Sequence, residues 1–305
     1  MADFYKESDK NRLLSNLLVI VMGIIALGVA LAFAYIFDFG IEGAMIAVII
    51  ALVYAYVGYF ESDKVVLSIS GAQPAEKRAY PYLYNTVEGL SLAAGIPMPA
   101  LYVIDDPSPN AFATGRDPQH SAIAVTTGLL KIMNREELEG VIAHEMSHIK
   151  NYDIRFTTIA IVMVGMISII GYFASRMLWF GGTTRDRGRG GGGELQVILL
   201  VLGLVFIIFA PFFAKLVQLA ISRKREFLAD ASGAQLTRYP PGLASALEKL
   251  KKIDMPVKHA TEATAPLYFS NPIKPGMFSS IFSTHPPIDE RIKVLKSMSF
   301  EKIQP

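Results

Sequence analysis

Two long apolar runs near the N-terminus restrict the folds that this chain can adopt. Leu13 to Phe37 is almost uninterrupted, and Ile41 to Phe60 follows after a short turn. Each run is long enough to cross a hydrocarbon core of about 30 Å as a helix that rises about 1.5 Å per residue. The first run is too long for the core of a cleaved signal peptide, and no small-residue cleavage site follows it. The two runs therefore predict a membrane hairpin over residues 1–60.

The composition supports a membrane protein, and the charges predict the orientation of this hairpin. Of the 305 residues, 52% are hydrophobic and 18% are charged, whereas soluble domains contain about 25% charged residues. Lys6, Lys10 and Arg12 precede the first run, and the turn between the runs contains no Lys or Arg. Positive residues favour the cytoplasmic side, so the N-terminus and, after two crossings, residue 61 are expected in the cytoplasm. The net charge of +2 is too small to indicate nucleic acid as a partner.

A second pair of apolar segments, Phe156 to Phe173 and Leu195 to Ile221, predicts another hairpin over residues 154–221. The linker at 181–194 is rich in glycine and contains three arginines, which indicates a flexible connection. If both segments span the membrane, this basic linker lies outside the cell, against the usual preference for basic loops in the cytoplasm. The alternatives are partial insertion or two buried core helices. We expect two full crossings because both segments have the required length.

The remaining polar sequence, residues 61–153 and 222–305, carries the patterns of an α+β domain that the second hairpin divides. In the first part, the sequence predicts a helix over Tyr82 to Ala94, strands over Ala100 to Ile104 and Ser121 to Thr126, and a helix after the N-cap Asn134. In the second part, it predicts helices from Pro240 to about Ile253 and from about Ile288 to Met298. The predicted fold class is α+β, within a multi-pass α-helical membrane protein.

The sequence His144-Glu-Met-Ser-His148 indicates a metal site. Residues four apart share one face of a helix, so both imidazoles can reach one ion. Glu145 lies about 100° further round the helix, where it can take a proton from water at the metal. Because the chain has no cysteine, its metal ligands must be His, Asp or Glu, and this set favours one Zn²⁺ ion. The alternative is a solvated polar helix face, but Leu138, Val141 and Ile142 indicate a buried helix.

Catalytic zinc needs a third protein ligand and one open position. His120, His259 and His285 are candidates, as are acidic residues, and Glu226 is the best of them. Asp230 follows Glu226 by four residues on the same helical face, where it can accept the second N–H of an imidazole that binds the metal. The alternative is a basic segment beside the membrane, in which Glu226 only pairs with a neighbouring arginine.

Five motifs spread along the chain resemble the HtpX family of membrane zinc metallopeptidases, which is related to the CaaX prenyl proteases. The motifs are Pro109-Asn-Ala-Phe-Ala-Thr-Gly115, Ala124-Val-Thr-Thr-Gly-Leu-Leu130, His144-Glu-Met-Ser-His148, Ser222-Arg-Lys-Arg-Glu-Phe-Leu-Ala-Asp230, and Ser283-Thr-His-Pro-Pro287 with Arg291. Together with the two hairpins they cover nearly the whole chain. The resemblance implies a zincin-like (thermolysin-like) metalloprotease domain.

The resemblance also implies roles for individual residues. The implied zinc ligands are His144, His148 and Glu226, with Glu145 as the catalytic base. The implied substrate-binding edge strand consists of Asn110, Ala111, Phe112 and Ala113. Stabilisation of the tetrahedral oxyanion is implied for either His285 or Arg291.

The position of the motif relative to the membrane segments indicates where the enzyme acts. His148 lies eight residues before Phe156, and Glu226 lies five residues after Ile221, so both are on the order of 10 Å from a membrane helix. We expect a zinc metalloendopeptidase of the cell (inner or plasma) membrane, with its active site at the cytoplasmic face. Its expected partners are the lipid bilayer and extended segments of membrane proteins, and the resemblance implies membrane protein quality control and a stress response.

Two other functions are compatible with parts of the sequence. A zinc-binding scaffold without activity would usually hold its metal with four protein ligands. A transporter would need polar residues near the centre of the membrane, and the first hairpin has almost none apart from Ser15 and Asn16 near one end. The sequence therefore favours the protease.

Overall fold

A computed structural model of the protein describes residues 13–17, 19–21, 23–24, 27–28, 31, 40–162, 223–253, 255–261, 264–272 and 286–300. Most of the predicted second hairpin, its glycine-rich linker and His285 lie outside these residues. The described residues include a small mixed sheet, the helices that pack on it, and both segments of the predicted metal site.

The second apolar run forms helix α1, Gly40–Phe60. Among the described residues, it is the one helix that is long and apolar enough to cross a membrane. Its large apolar side chains are mostly exposed, and Ile41 and Leu52 are 80% and 65% exposed. An apolar surface of this extent is unfavourable in water and typical of a surface that contacts lipid or another protein. The described residues of the first run, between 13 and 31, are also helical.

Four short strands form the sheet. They are β1 (Ala72–Pro74), β2 (Ala100–Ile104), β3 (Ala111–Asp117) and β4 (His120–Thr126). Their spatial order is β1-β2-β4-β3, with β2 parallel to β4 and the other two pairs antiparallel. The two strands predicted from β-branched residues, β2 and β4, are confirmed. Strand β3 lies at one edge of the sheet, where a further strand can pair with its outer N–H and C=O groups.

Helices precede, connect and follow these strands. After α1, the described part contains α2 (Ser62–Ile69), α3 (Pro81–Ala94), α4 (Thr127–Ile132), α5 (Arg135–Lys150), α6 (Arg223–Thr237), α7 (Pro240–Lys251) and α8 (Ile288–Phe300). Residues 153–162 are also helical, and a 3-10 turn covers Ala265–Leu267. The four predicted helices correspond to α3, α5, α7 and α8, and the predicted ends are within two residues of the observed ones.

The N-terminus of α5 is fixed by a capping box. Asn134 Oδ1 accepts the backbone N–H of Glu137 at 2.9 Å, and Glu137 Oε2 accepts the backbone N–H of Asn134 at 2.8 Å. The buried Glu137 carboxylate also accepts hydrogen bonds from Ser245 Oγ at 2.7 Å and Lys249 Nζ at 2.6 Å in α7. One carboxylate therefore starts α5 and ties α7 to it.

Helix α5 lies in the centre of the core. Leu138, Val141 and Ile142 are at most 2% exposed, which confirms the buried helix that the sequence indicated. The helix packs against α3, α6, α7 and β3. His144 and Glu145 on the same helix are each 1% exposed, and buried polar groups of this kind are costly unless they are paired or bind an ion.

Glycines bring α6 and α7 close to α5. A Cβ atom on Gly233 in α6 would lie 2.9 Å from the backbone nitrogen of His144. A Cβ atom on Gly140 in α5 would lie 2.8 Å from the backbone nitrogen of Leu243 in α7. Both distances are too short for a real Cβ contact, so a larger residue would push these helices apart. The close approach of α6 to α5 brings Glu226 to the two histidines.

Candidate metal centre

Helix α5 directs two imidazoles toward one point. His144 and His148 are four residues apart on the same face, and their Nε2 atoms lie 3.1 Å apart. The side chain of His144 is 1% exposed and that of His148 is 16% exposed. Two ring nitrogens that meet in a buried position are suited to binding the same cation.

Helix α6 adds a carboxylate to this pair. Glu226 Oε2 lies 3.7 Å from His144 Nε2, and Glu226 Oε1 lies 3.5 Å from His148 Nε2. Tetrahedral zinc, with bonds of about 2.0–2.1 Å, places its ligand atoms roughly 3.3 Å from one another. The two imidazoles and the carboxylate are therefore close enough to share a zinc ion, and they leave a fourth position for another ligand. Among the described residues, this is the one group of three or more His, Asp or Glu side chains whose ligand atoms all lie within 4.8 Å.

The other candidate histidines lie elsewhere. The side chain of His120, on the turn between β3 and β4, is 52% exposed, and its Nδ1 lies 2.8 Å from Asp117 Oδ1. His259 packs beside Gly71, where its Cδ2 atom would lie 3.4 Å from an added Cβ. Neither belongs to the three-residue group, and His285 lies outside the described residues. The geometry therefore favours Glu226 as the third ligand.

Each imidazole has a carboxylate at its other ring nitrogen. Asp230 Oδ1 lies 2.9 Å from His144 Nδ1, and Asp153 Oδ2 lies 3.0 Å from His148 Nδ1. Such contacts fix the tautomer and the orientation of an imidazole that binds metal through Nε2. No sequence motif indicated Asp153. It lies beyond the end of α5, after Tyr152, whose positive φ of 59° redirects the chain.

Arg291 in α8 binds Asp230 and lies near the metal-site side chains, with its Nη1 3.9 Å from Glu226 Oε2. Its Nε and Nη2 donate to the two Asp230 oxygens at 2.8 and 2.7 Å, and Nη1 donates to the backbone oxygen of Phe269 at 3.1 Å. Burial alone would raise the pKa of Asp230, but the Arg291 charge holds this pKa well below its usual value. Arg291 is 1% exposed and does not line the cleft. The two bonds to Asp230 favour a role for Arg291 in orienting this carboxylate.

Burial and nearby charges shift the titration of the α5 side chains. Burial lowers the pKa of His144 to about 4. Burial opposes the charge on His148 too, but the Asp153 hydrogen bond and the Glu226 charge outweigh it and raise this pKa to about 9. A bound divalent cation would favour the neutral form of both rings. Burial raises the pKa of Glu145 to about 7, which suits a general base at neutral pH.

Glu145 lies between the three-residue group and strand β3. The backbone of Ala113 hydrogen-bonds its carboxylate. The other carboxylate oxygen, Oε1, is buried and has no hydrogen-bond partner within the described part of the chain. A buried oxygen without a partner is costly, and a water molecule or a substrate N–H group would satisfy it.

The site opens into a small cleft, whose wall includes Glu145 and residues 266–269. Of the four residues Asn110–Ala113, which were expected to bind substrate, only Ala113 lines this cleft. The other three are at most 2% exposed and contact residues 268–270 instead. The structure thus differs from the expectation for these three residues, because the chain itself occupies the edge of β3 there.

Comparisons with known proteins agree with this geometry. A family model described as peptidase family M48 matches residues 77–299. A protein of Dictyoglomus turgidum named Protease HtpX homolog is 49% identical to the chain, over 97% of this chain and 95% of its own length. A protein of Streptococcus pneumoniae with the same name is 48% identical, over 95% of this chain and 98% of its own length. The crystal structure of S. mikatae Ste24p has a similar fold at 18% identity, with a TM-score of 0.50, over 97% of this chain and 67% of that chain.

Proposed function

The chain belongs to peptidase family M48 and is a metallopeptidase of the HtpX type, and from this premise we propose that it is a membrane-bound zinc endopeptidase. The observation that carries the proposal is the group of two ring nitrogens, 3.1 Å apart, and the Glu226 carboxylate, whose ligand atoms all lie within 4.8 Å of one another, with a buried glutamate beside them. In this proposal His144, His148 and Glu226 hold one zinc ion per chain, and Glu145 is the general base.

Zinc is the metal that suits this ligand set. Two imidazoles and one carboxylate, with a fourth position open, are typical of catalytic zinc sites, whereas structural zinc usually has four protein ligands. When bound, zinc supplies a Lewis acid that polarises a peptide carbonyl and makes water at the site more acidic. The described residues offer three ligands, which favours the protease over the zinc scaffold.

Glu145 performs the proton transfers in the proposed mechanism. Its Oε1 accepts a proton from the attacking water, and the same carboxyl group then donates a proton to the leaving amine. Burial keeps its pKa near neutrality, so that both transfers are feasible at the pH of the cytoplasm. The hydrogen bond from Ala113 holds the carboxylate beside the cleft.

Three further residues support these groups in the proposed mechanism. Asp230 and Asp153 hold the two imidazoles with Nε2 toward the metal, and Arg291 holds Asp230. Because the guanidinium of Arg291 is engaged by Asp230 and by the backbone, His285 is the residue that we propose for the oxyanion, on the basis of the family resemblance. It precedes α8 by three residues in the sequence.

We also propose that the catalytic domain lies at the cytoplasmic membrane surface. Helices α5 and α6 pack directly on each other, which supports one domain formed by residues 61–153 and 222–305 and divided by the hairpin 154–221. Both parts must then lie on the same side of the membrane. Charges before the first run favour the cytoplasm. Extended segments of membrane proteins would be the substrates, in membrane protein quality control and a stress response.

The test of the chemistry is Glu145→Gln, compared with Glu136→Gln in the exposed first turn of the same helix. Glu145→Gln should keep its zinc and lose hydrolysis of casein or a membrane protein by about 10²–10⁴-fold, because general-base catalysis is removed. Glu136→Gln should retain both. An active Glu145→Gln enzyme would refute the assigned mechanism.

The test of the topology uses the absence of cysteine in the natural chain. Single cysteines at Gly191, Ser62 and Lys251 are labelled in intact cells with a membrane-impermeant maleimide. Only position 191 should react if the second hairpin crosses twice and the catalytic domain is cytoplasmic. Labelling at 62 or 251 would contradict the cytoplasmic site, and no labelling at any position would favour partial insertion of the second hairpin.

A further inference from the structure

Residues 268–270 lie along the outer edge of β3, the edge that the family resemblance assigns to the substrate. We propose that this segment is a permanent addition to the sheet that closes the substrate-binding edge at Phe112, so that a substrate backbone reaches β3 only from Ala113 onward. In this arrangement Asn110 is a positioning residue that holds the segment and does not touch substrate. The inference rests on the proposed protease function and specifies how its substrate is bound.

The pairing between the segment and β3 is that of an antiparallel strand. Phe112 forms a β-bridge with Tyr268, and the backbone N–H of Phe269 donates to the backbone oxygen of Ala111 at 2.8 Å. The Asn110 amide makes two bonds to one residue: its Nδ2 donates to the Ser270 oxygen at 2.9 Å, and its Oδ1 accepts the Ser270 N–H at 3.2 Å. An extended substrate peptide would need the same groups.

Two fully buried aromatic rings anchor the segment. Tyr268 is 0% exposed, and its ring packs edge-on against Phe112 at 5.1 Å between centroids. Phe269 is 1% exposed and lies between the His144 ring, at 4.9 Å, and the Arg291 guanidinium, also at 4.9 Å. These contacts connect the segment to the metal site itself.

Displacement of the segment by a substrate would therefore disturb the catalytic site. It would expose both rings to water, break the bond from Arg291 to the Phe269 oxygen, and remove the ring that packs on His144. Cleavage requires His144 in its position, and displacement of Phe269 would remove the ring that packs on His144. We therefore infer that the segment 268–270 stays in place when substrate binds.

The edge that remains is short. In a strand, the N–H and C=O of one residue point to the same side, so Ala111, Ala113 and Gly115 present these groups on the outer edge of β3. Ala111 is taken by Phe269, and the N–H of Gly115 faces Thr158 Oγ1 at 3.4 Å. Ala113 lies between them in the cleft; its N–H is bonded to the Glu145 carboxylate, so its C=O is the group on this edge that a substrate N–H can reach. The site should accept a short extended stretch of backbone and does not require a long ordered strand.

A reversible cross-link tests whether the segment stays in place during catalysis. The register that pairs Phe112 with Tyr268 places Asn110 opposite Ser270, as a pair without mutual backbone hydrogen bonds. The Cα atoms of such a pair are about 4.5 Å apart, which is within the range for a disulfide. Asn110→Cys with Ser270→Cys can therefore be oxidised and reduced in the otherwise cysteine-free full-length enzyme.

If the segment 268–270 stays in place during catalysis, oxidation should not lower the kcat/KM of the double variant. Oxidation should instead restore part of the kcat/KM that the reduced double variant has lost relative to the wild type. The single variant Asn110→Cys should show a lower kcat with little change in KM, since Asn110 does not touch substrate. A loss of about tenfold or more on oxidation, reversed by a phosphine reductant, would overturn the inference. A raised KM with unchanged kcat for Asn110→Cys would also overturn it.

A second measurement leaves the segment unaltered. Hydrogen exchange of residues 268–270 is followed in Glu145→Gln, with and without a bound peptide substrate. Exchange should stay slow or become slower with peptide, and faster exchange would show that the segment leaves. If the wild-type chain cleaves no protein, the proposed protease function is refuted. If the wild type is active and only the cross-linked form loses activity, the protease function stands and the fixed position of the segment 268–270 is refuted.

Discussion

Replacement of Asp153 by Asn is expected to weaken zinc binding and leave the fold intact. Asp153 Oδ2 lies 3.0 Å from His148 Nδ1, and its side chain is 7% exposed. Asn keeps the shape and an acceptor oxygen but removes the negative charge that holds the imidazole. Loss of such a partner usually lowers metal affinity by about 10–100-fold, which corresponds to about 1.4–2.8 kcal/mol.

The assay is competition for zinc with a chelator, combined with thermal unfolding in buffered zinc. At free zinc above both dissociation constants, the variant should lose about 1.4–2.8 kcal/mol of zinc-dependent stabilisation, measured for each protein against its own zinc-free form. Asp289→Asn is the control, because Asp289 forms an exposed ion pair with Lys251, and such pairs contribute little. Wild-type zinc affinity in Asp153→Asn would refute the argument that Asp153 orients His148.

Three further predictions concern the packing and charges around the site. Arg291→Met should lower the free energy of unfolding by about 3–5 kcal/mol in chemical denaturation, because Asp230 is left buried without its counter-charge. Adding Asp230→Asn should recover part of this loss. Gly233→Ala should lower the free energy of unfolding by about 1–3 kcal/mol and weaken zinc binding, because the new methyl group meets the backbone of α5. Gly89→Ala is the control: the space around Gly89 is open, so this change should not lower the stability. Between pH 6.5 and 9, thermal melts should show the zinc-free protein losing stability as the pH rises, because the folded-state pKa of His148 is raised to about 9.

Each of these predictions has an outcome that contradicts it. If Arg291→Met has the same free energy of unfolding as the wild type, the ion pair with Asp230 does not stabilise the fold. If Gly233→Ala and Gly89→Ala have the same free energy of unfolding, α5 and α6 can move apart without loss of stability. For the pH dependence, stabilisation by charged His148 is complete below pH 6.5 and lost through pH 9, so a rise in stability over this range would contradict the assignment. The zinc-bound protein should lack this slope, because zinc holds the ring neutral.

Local patterns predicted the parts of the fold that depend on local interactions. Asn134 and Glu137 are three residues apart and form a capping box without help from the rest of the chain. The two histidines of α5 share a face because of helix geometry alone. Glu226 could be chosen because the same periodicity places Asp230 beside it, four residues later. These features can be predicted from a single segment of sequence.

The missing features depend on contacts between segments that are distant in sequence. Asp153 reaches His148 because the chain changes direction at Tyr152, and the spacing of five does not correspond to one helical face. Asn110 is engaged by Ser270, which belongs to a segment without alternating apolar residues that would predict a strand. The resemblance to a family indicated a free edge at β3, and only the packing of the whole domain shows which part of that edge the chain occupies.

The contacts of residues 153–162 link the two N-terminal apolar segments to the metal centre. Asp153, at the start of this helical segment, contacts His148. Two residues further on, the Arg155 guanidinium donates to Asn16 Oδ1 at 2.7 Å and to the Tyr59 hydroxyl at 2.6 Å. Asn16 belongs to the first apolar run and Tyr59 to α1, so both apolar runs contact the segment that orients a candidate zinc ligand. A catalytic domain cut away from residues 1–60 would lose these contacts. The two N-terminal apolar segments therefore help to hold the active site in place.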